Sequence, residues 1–207
     1  MSQPAHQRKD TGSTFNALIQ VAALTYNCNA CGLCASRNNS VPGEGHSQAR
    51  LMIIGEGPGA TEDAEGRPFV GKAGALLNQA LWQADLEREA VFITNVVKCR
   101  PPGNRNPVQE ERLACYPYLR KQIEIIKPNL IVVLGKVAAE FLLKRPVKIT
   151  KENGKLEFLP SGLGVMSVLH PAYVLRNQQP AIRASFFQAI KDARNIAYGI
   201  SDPGLHA

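Results

Sequence analysis

The fold class the sequence predicts is α/β: a three-layer α/β/α sandwich around a central four-stranded parallel sheet. Two observations predict it. Four short apolar segments, Leu51–Gly55, Val91–Val97, Leu130–Gly135 and Val165–His170, are rich in Val, Ile, Leu or Met and bounded by Gly, Pro or polar residues. Strands buried on both faces read this way. Stretches with apolar residues at helical spacing, Ala73–Ala84, Pro107–Ile126, Lys136–Leu143 and Ala181–Ala197, lie between and after them. Strands alternating with helices predict a parallel sheet covered on both faces.

Along the chain, residues 1–12 are polar and expected to be mobile. Thr14–Tyr26 is apolar at helical spacing and predicts a short helix that leads into a group of cysteines. Asn38–Gln48, rich in Gly, Asn and Ser, reads as loop. Asn106-Pro107 followed by Glu110 and Glu111 marks a helix start, with Pro at the first position and acids in the first turn. Lys144–Leu159 predicts a small hairpin around Asn153-Gly154. With no repeat and no linker, residues 13–200 are expected to form one domain and 201–207 a tail.

Composition narrows the class. Hydrophobic residues at 44% and charged residues at 20% exclude a disordered or collagen-like chain. Runs such as Leu130–Leu134 are far too short to cross a bilayer, and the N-terminus lacks a signal pattern, so a cytoplasmic protein is expected. The net charge of +7 is unevenly placed. Residues 1–97 carry 7 basic and 9 acidic side chains, residues 98–207 carry 17 and 8, and the later half would attract a polyanion.

The five cysteines are Cys28, Cys31, Cys34, Cys99 and Cys115. Three at two-residue gaps within seven positions suit a metal, because a C-x2-C turn points two thiolates at one spot. Zinc and an iron–sulfur cluster are both chemically open on this pattern. Five thiols for a four-ligand site leave one spare.

In a parallel sheet, ligands bind at the carboxyl ends of the strands. Three of the four ends here carry a polar side chain: Glu56, Asn95 and His170. Gly55–Gly59 lacks the Lys-Ser/Thr of a P-loop and the G-x-G-x-x-G spacing of a dinucleotide fold. Asn95 lies in an apolar strand, where an amide must find a partner, and an amide can read a nucleobase edge. Phe69, in the Gly/Pro-bounded loop 66–71, suits either the core or stacking on a base.

Taken together, Gly-Glu-Gly-Pro-Gly (55–59), Glu62-Asp63, Gly-Arg-Pro-Phe-Val-Gly-Lys-Ala-Gly (66–74), Thr-Asn-Val-Val-Lys-Cys-Arg-Pro-Pro (94–102), Cys115 and His-Pro-Ala-Tyr-Val-Leu-Arg (170–176) resemble a family 4 uracil-DNA glycosylase, the iron–sulfur-containing branch of its superfamily. The likeness runs from about Asn27 to Asn177 in the same order. It implies a uracil-DNA glycosylase-like sandwich and a monofunctional hydrolase that flips deoxyuridine out of DNA, cuts its N-glycosidic bond and so initiates base excision repair. It implies a structural [4Fe-4S] cluster on Cys28, Cys31, Cys99 and Cys115, with Cys34 spare. It places Glu56 and Gly57 at the base of the pocket, Phe69 stacked on uracil, Asn95 on its polar edge and His170 against the base. Glu56, His170 and Asn95 are the expected catalytic residues, and Glu62 is expected to wall off the 5-position and exclude thymine's methyl. The loop Pro171–Arg176 would enter the minor groove, Val174 or Leu175 filling the vacated space. Lys98, Arg100, Arg105 and Arg176 would hold phosphates. The expected partner is uracil-containing DNA, single- or double-stranded; no membrane partner is expected, and the chain is expected to be a monomer.

One stretch departs from a related branch that traps DNA covalently. That branch carries an Arg-rich insertion ending in His; here Arg100–Pro107 contains no His, so ordinary turnover is expected. Two other classes compete: an iron–sulfur DNA-binding module without catalysis, and a zinc-stabilised nucleotide-binding α/β protein.

Overall fold

The computed structural model describes residues 12–177 and 179–200; the expected N-terminal arm, apart from Gly12, and the tail after residue 200 lie outside them. In chain order the elements are α1 (Gly12–Tyr26), β1 (Glu44–Gly45), β2 (Leu51–Gly55), α2 (Ala60–Glu65), α3 (Lys72–Gln83), β3 (Phe92–Asn95), α4 (Gln109–Ile126) and β4 (Leu130–Leu134). There follow α5 (Lys136–Leu143), β5 (Lys155–Phe158), β6 (Gly164–Val168), α6 (Pro171–Arg176) and α7 (Pro180–Tyr198).

The four apolar segments are strands, and they pair in parallel in the order β3-β2-β4-β6. Successive side chains point to opposite faces. Leu51, Ile53, Ile93, Leu130, Val132, Leu134, Met166 and Val168 therefore meet Leu76 and Leu77 of α3 and Phe186 and Ile190 of α7. Met52, Ile54, Phe92, Ile131, Val133 and Val165 meet Leu119 of α4 and Ala138 and Ala139 of α5. Each such aliphatic side chain stabilises the fold by about 1.5–3 kcal/mol on burial. The three-layer sandwich follows from this two-sided apolarity.

The sheet is wider than expected. Two antiparallel edge strands extend it to six, β1 beside β3 and β5 beside β6. Both are short and carry charged residues, as edge strands tend to. The hairpin forms between β5 and β6, closed by Gly162 N donating to Leu159 O, and not around Asn153-Gly154. Asn153 is taken up otherwise: its Oδ1 accepts from Leu169 N and its Nδ2 donates to Ser185 O. The helix expected from Pro107 begins at Gln109, where Glu111 Oε2 accepts from Val108 N at 2.9 Å. No helix among the described residues is long and apolar enough to cross a membrane.

Strand β2 feeds to β3 on one side, and the chain then crosses to β4 on the other. The loops after β2 and β4 diverge to opposite faces and leave a crevice at their carboxyl ends. A doubly wound sheet binds ligands at such a point.

Candidate active site and cysteine pocket

That crevice is a cavity of about 520 Å³ whose lining includes Glu56, Gly57, Glu62, Phe69, Asn95, His170, Arg105 and Arg176. Glu56 and His170, more than 100 positions apart, share one chamber because β2 and β6 both pair with β4. Gly55 and Asn95 pair directly across β2 and β3.

Asn95 is 1% exposed and its Oδ1 has no hydrogen-bond partner among the described residues. A buried carbonyl oxygen left unpaired costs about 1–3 kcal/mol, so this atom is poised for a donor from outside the chain. A Cβ at Gly55 would collide with Asn95 Oδ1 and with the Phe69 ring. The bare α-carbon lets amide and ring close over β2.

Phe69 is held in a left-handed conformation (φ 50°), a strained state for an aromatic residue. Its loop is pinned from two sides. Glu62 accepts from Val70 N at 3.0 Å, Gly71 N at 2.8 Å and Gly59 N at 3.1 Å. Arg88 donates to Pro68 O at 2.5 Å and Phe69 O at 3.3 Å, and pairs with Glu44 at 2.8 Å. Gly74 completes the seat, since any Cβ there would strike the Phe69 carbonyl.

His170 faces Phe69 with ring centroids 5.9 Å apart and planes tilted by 35°. Its Nδ1 accepts from Ala172 N at 3.1 Å, which leaves the proton of the neutral ring on Nε2. Burial first, and then the Arg176 guanidinium, lower its pKa to about 4. At neutral pH it is a neutral N–H donor. Gly135 (φ 90°) lies against its Cβ. Burial raises the Glu56 carboxyl above the usual range, and Arg112 opposes that only in part.

All five cysteines line a second pocket, with Arg37, Lys98 and Tyr118 among its other walls. Three sulfurs receive N–H donors: Cys28 from Ala30 N at 3.5 Å, Cys99 from Arg37 Nη1 at 3.1 Å and Cys115 from Lys98 N at 3.2 Å. Burial pushes the Cys115 thiol up to about 11 and raises Cys99 as well. Thiols in such a setting ionise when a metal supplies the positive charge. Soft donors, N–H···S bonds and an apolar wall fit an iron–sulfur group. Among the described residues no three Cys, His or carboxylate groups are gathered as for a single metal ion.

The sequence profile of the uracil DNA glycosylase superfamily matches residues 42–194. The chain belongs to that superfamily. Three curated relatives are named Type-4 uracil-DNA glycosylase. That of Thermotoga maritima is 46% identical over 82% of this chain and 88% of its own. That of Pyrobaculum aerophilum is 48% identical over 82% and 89%, and that of Sulfurisphaera tokodaii 42% over 88% and 86%.

For a glycosylase-superfamily chain, several residues expected to face DNA stand elsewhere. Lys98 is 1% exposed and its ammonium donates to Thr94 Oγ1 at 2.5 Å, Asn95 O at 2.8 Å and Gln122 Oε1 at 2.8 Å. All three donors are spent, burial lowers its pKa to about 7, and it holds no phosphate. Arg105 lines the cavity but is paired with Glu111 at 2.6 Å, so its charge is already matched. Arg100 donates to Asn104 Oδ1 at 2.8 Å from an exposed position. Residues 171–176, expected as a loop, form the helix α6, capped by His170. Val174 is 4% exposed and belongs to the core, whereas Leu175 is 43% exposed. Of that pair only Leu175 is free to enter a duplex. Glu62 lines the cavity while its carboxylate braces the Phe69 loop.

Sequence reasoning missed Gly55, Gly74 and Arg88. Gly74 carried a signal, because glycine inside a helix costs about 1 kcal/mol and so marks a close approach. Arg88 carried none, since its partners Glu44 and Pro68 are remote in sequence.

Proposed function

We propose that the chain excises uracil from DNA by hydrolysis of the N-glycosidic bond. The observation that carries this reading is the unpartnered Asn95 Oδ1, buried in a cavity beside Phe69 and a neutral His170. Uracil N3–H is a donor, and Oδ1 lacks one. The Asn95 amide would supply Nδ2–H to O4 in the same contact.

The bond is unreachable in a duplex, so the nucleotide is extruded at a cost of a few kcal/mol, less at a mismatch. Leu175 fills the gap and Arg176 meets a phosphate at the cavity rim. Phe69 stacks on the base. As the bond breaks, negative charge gathers on uracil, and the Nε2–H of His170 stabilises it at O2. Glu56 lines the same cavity, where a carboxylate would orient water toward C1′ or offset the cationic sugar. Glu62 shapes the wall beside Phe69. Arg100, beside the cavity loop, would meet a further phosphate, and Arg105 would do so only by leaving Glu111.

The residues fit a [4Fe-4S] cluster on Cys28, Cys31, Cys99 and Cys115. When bound, it supplies a rigid cross-link between the segment after α1 and the loop that follows Asn95. We read residues 13–200 as one catalytic unit.

Single- and double-stranded oligonucleotides with one uracil, treated with cluster-replete protein and then alkali, test the reading. Strand breaks at the uracil position are expected, and intact strands would overturn it. A protein–DNA adduct that survives denaturation would count against simple turnover.

A further inference from the structure

The four-ligand assignment leaves Cys34 without a task, yet it is not displaced from the site. Cys34 lines the same pocket as Cys28, Cys31, Cys99 and Cys115. Cys31 caps a 3-10 turn at Gly32–Ala35 that contains Cys34, and Cys34 N donates to Cys31 O at 3.3 Å. Both residues of the closed turn line the pocket.

The hydrogen bonds sort the five sulfurs into two groups. Cys28, Cys99 and Cys115 each accept an N–H, from Ala30, Arg37 and Lys98. Cys31 and Cys34 accept none among the described residues. Hydrogen bonds to ligating sulfurs fix their orientation and tune the site. Three of the five thiols are thus held by dedicated donors, and the two on the Cys31–Ala35 turn are not.

We infer that Cys34 is a reserve ligand that takes the fourth iron when Cys31 leaves it. The inference rests on the cluster reading above. The exchange is redox-neutral: the Cys31 sulfur–iron bond breaks and Cys31 takes up a proton. Cys34 gives up its proton and forms the new sulfur–iron bond. The backbone from Cys28 to Cys31 stays in place, because the turn already brings Cys34 to the pocket.

The test uses full-length protein purified without oxygen, with iron and acid-labile sulfide measured per chain alongside the visible charge-transfer absorption. Alanine is the substitution, since a serine oxygen can itself ligate iron. Cys34→Ala and Cys31→Ala are each expected to keep iron and sulfide near the wild-type content. The Cys31→Ala/Cys34→Ala variant is expected to lose both, and so is Cys28→Ala, which has no reserve. Circular dichroism of each variant reports whether the chain is folded. Cys31→Ala as depleted as the double variant while still folded would overturn the reserve role alone. Loss in Cys34→Ala would overturn it by making Cys34 the resident ligand, and retention in Cys28→Ala would do so by showing that any ligand is dispensable. Wild-type protein free of iron and sulfide would overturn the cluster reading itself.

Discussion

The two pockets stand on either side of residues 95–99 and are built on opposite terms. The base cavity is roomy, drawn from several strand ends, and contains a polar atom left unpaired at Asn95 Oδ1. The cysteine pocket gathers five thiols with apolar groups, Arg37 and Tyr118, and its buried lysine, Lys98, has every donor spent. A buried polar group without a partner is a demand on a ligand, and one with a full set of partners is a demand on the fold. Asn95 and Lys98, three residues apart and both 1% exposed, show the two cases.

The largest expected effect breaks the base side alone. His170→Ala is expected to lower the excision rate by about 10²–10³-fold, in line with loss of one oxyanion-type donor. Iron and sulfide content should not change. A rate within a few fold of wild type would remove His170 from the site. Gly55→Ala comes next. The added methyl pushes Asn95 and Phe69 apart, and a displacement of about 1 Å at a site costs on the order of 10²-fold. Wild-type kinetics for that variant would show that the two side chains are not seated on β2.

Lys98→Met acts on the other side. It leaves Thr94 Oγ1, Asn95 O and Gln122 Oε1 short of a donor in the interior, and stability should fall by about 3 kcal/mol. Thermal melting measures it. The salt dependence of DNA binding should stay as in wild type, because Lys98 contacts no phosphate; a shallower slope would return it to the interface.

The smallest effect is in pH. His170 stays neutral down to about 4, so excision should not fall through the usual histidine range near 6.5. Burial raises Glu56 above its ordinary value, so an acid limb lying above the usual carboxylate range is expected to follow Glu56. Stability moves separately. Between pH 6.5 and about 4 the unfolded chain binds a proton at His170 that the folded chain refuses, so the fold weakens as pH falls through that window. His170→Phe should flatten this slope in acid melting curves, and an unchanged slope would contradict the neutral, buried ring.

The strands of the parallel core were legible because being buried on both faces forces an unbroken apolar run, as at Leu130–Leu134. The edges were not, because Glu44–Gly45 has only two residues and Lys155–Phe158 is partly exposed and alternates with charges. At the site, Glu56, Asn95 and His170 were readable as polar residues at strand ends, and topology did the gathering. Lys98 was misread because a lysine after a strand looks like surface, and its partner Gln122 is 24 residues away. Val174 and Leu175 could be separated only by the phase of α6, which a six-residue helix hardly displays.

His170 has two employments at once. Its Nδ1 receives Ala172 N and starts α6, the helix that carries Leu175 and Arg176, while the residue also lines the cavity. A proton added at Nδ1 would evict Ala172 N and unfasten the start of α6, while Nε2–H stays a donor. Asparagine can cap a helix but does not reproduce both ends of an imidazole. Replacing the ring therefore removes the cap of α6 and part of the cavity wall together.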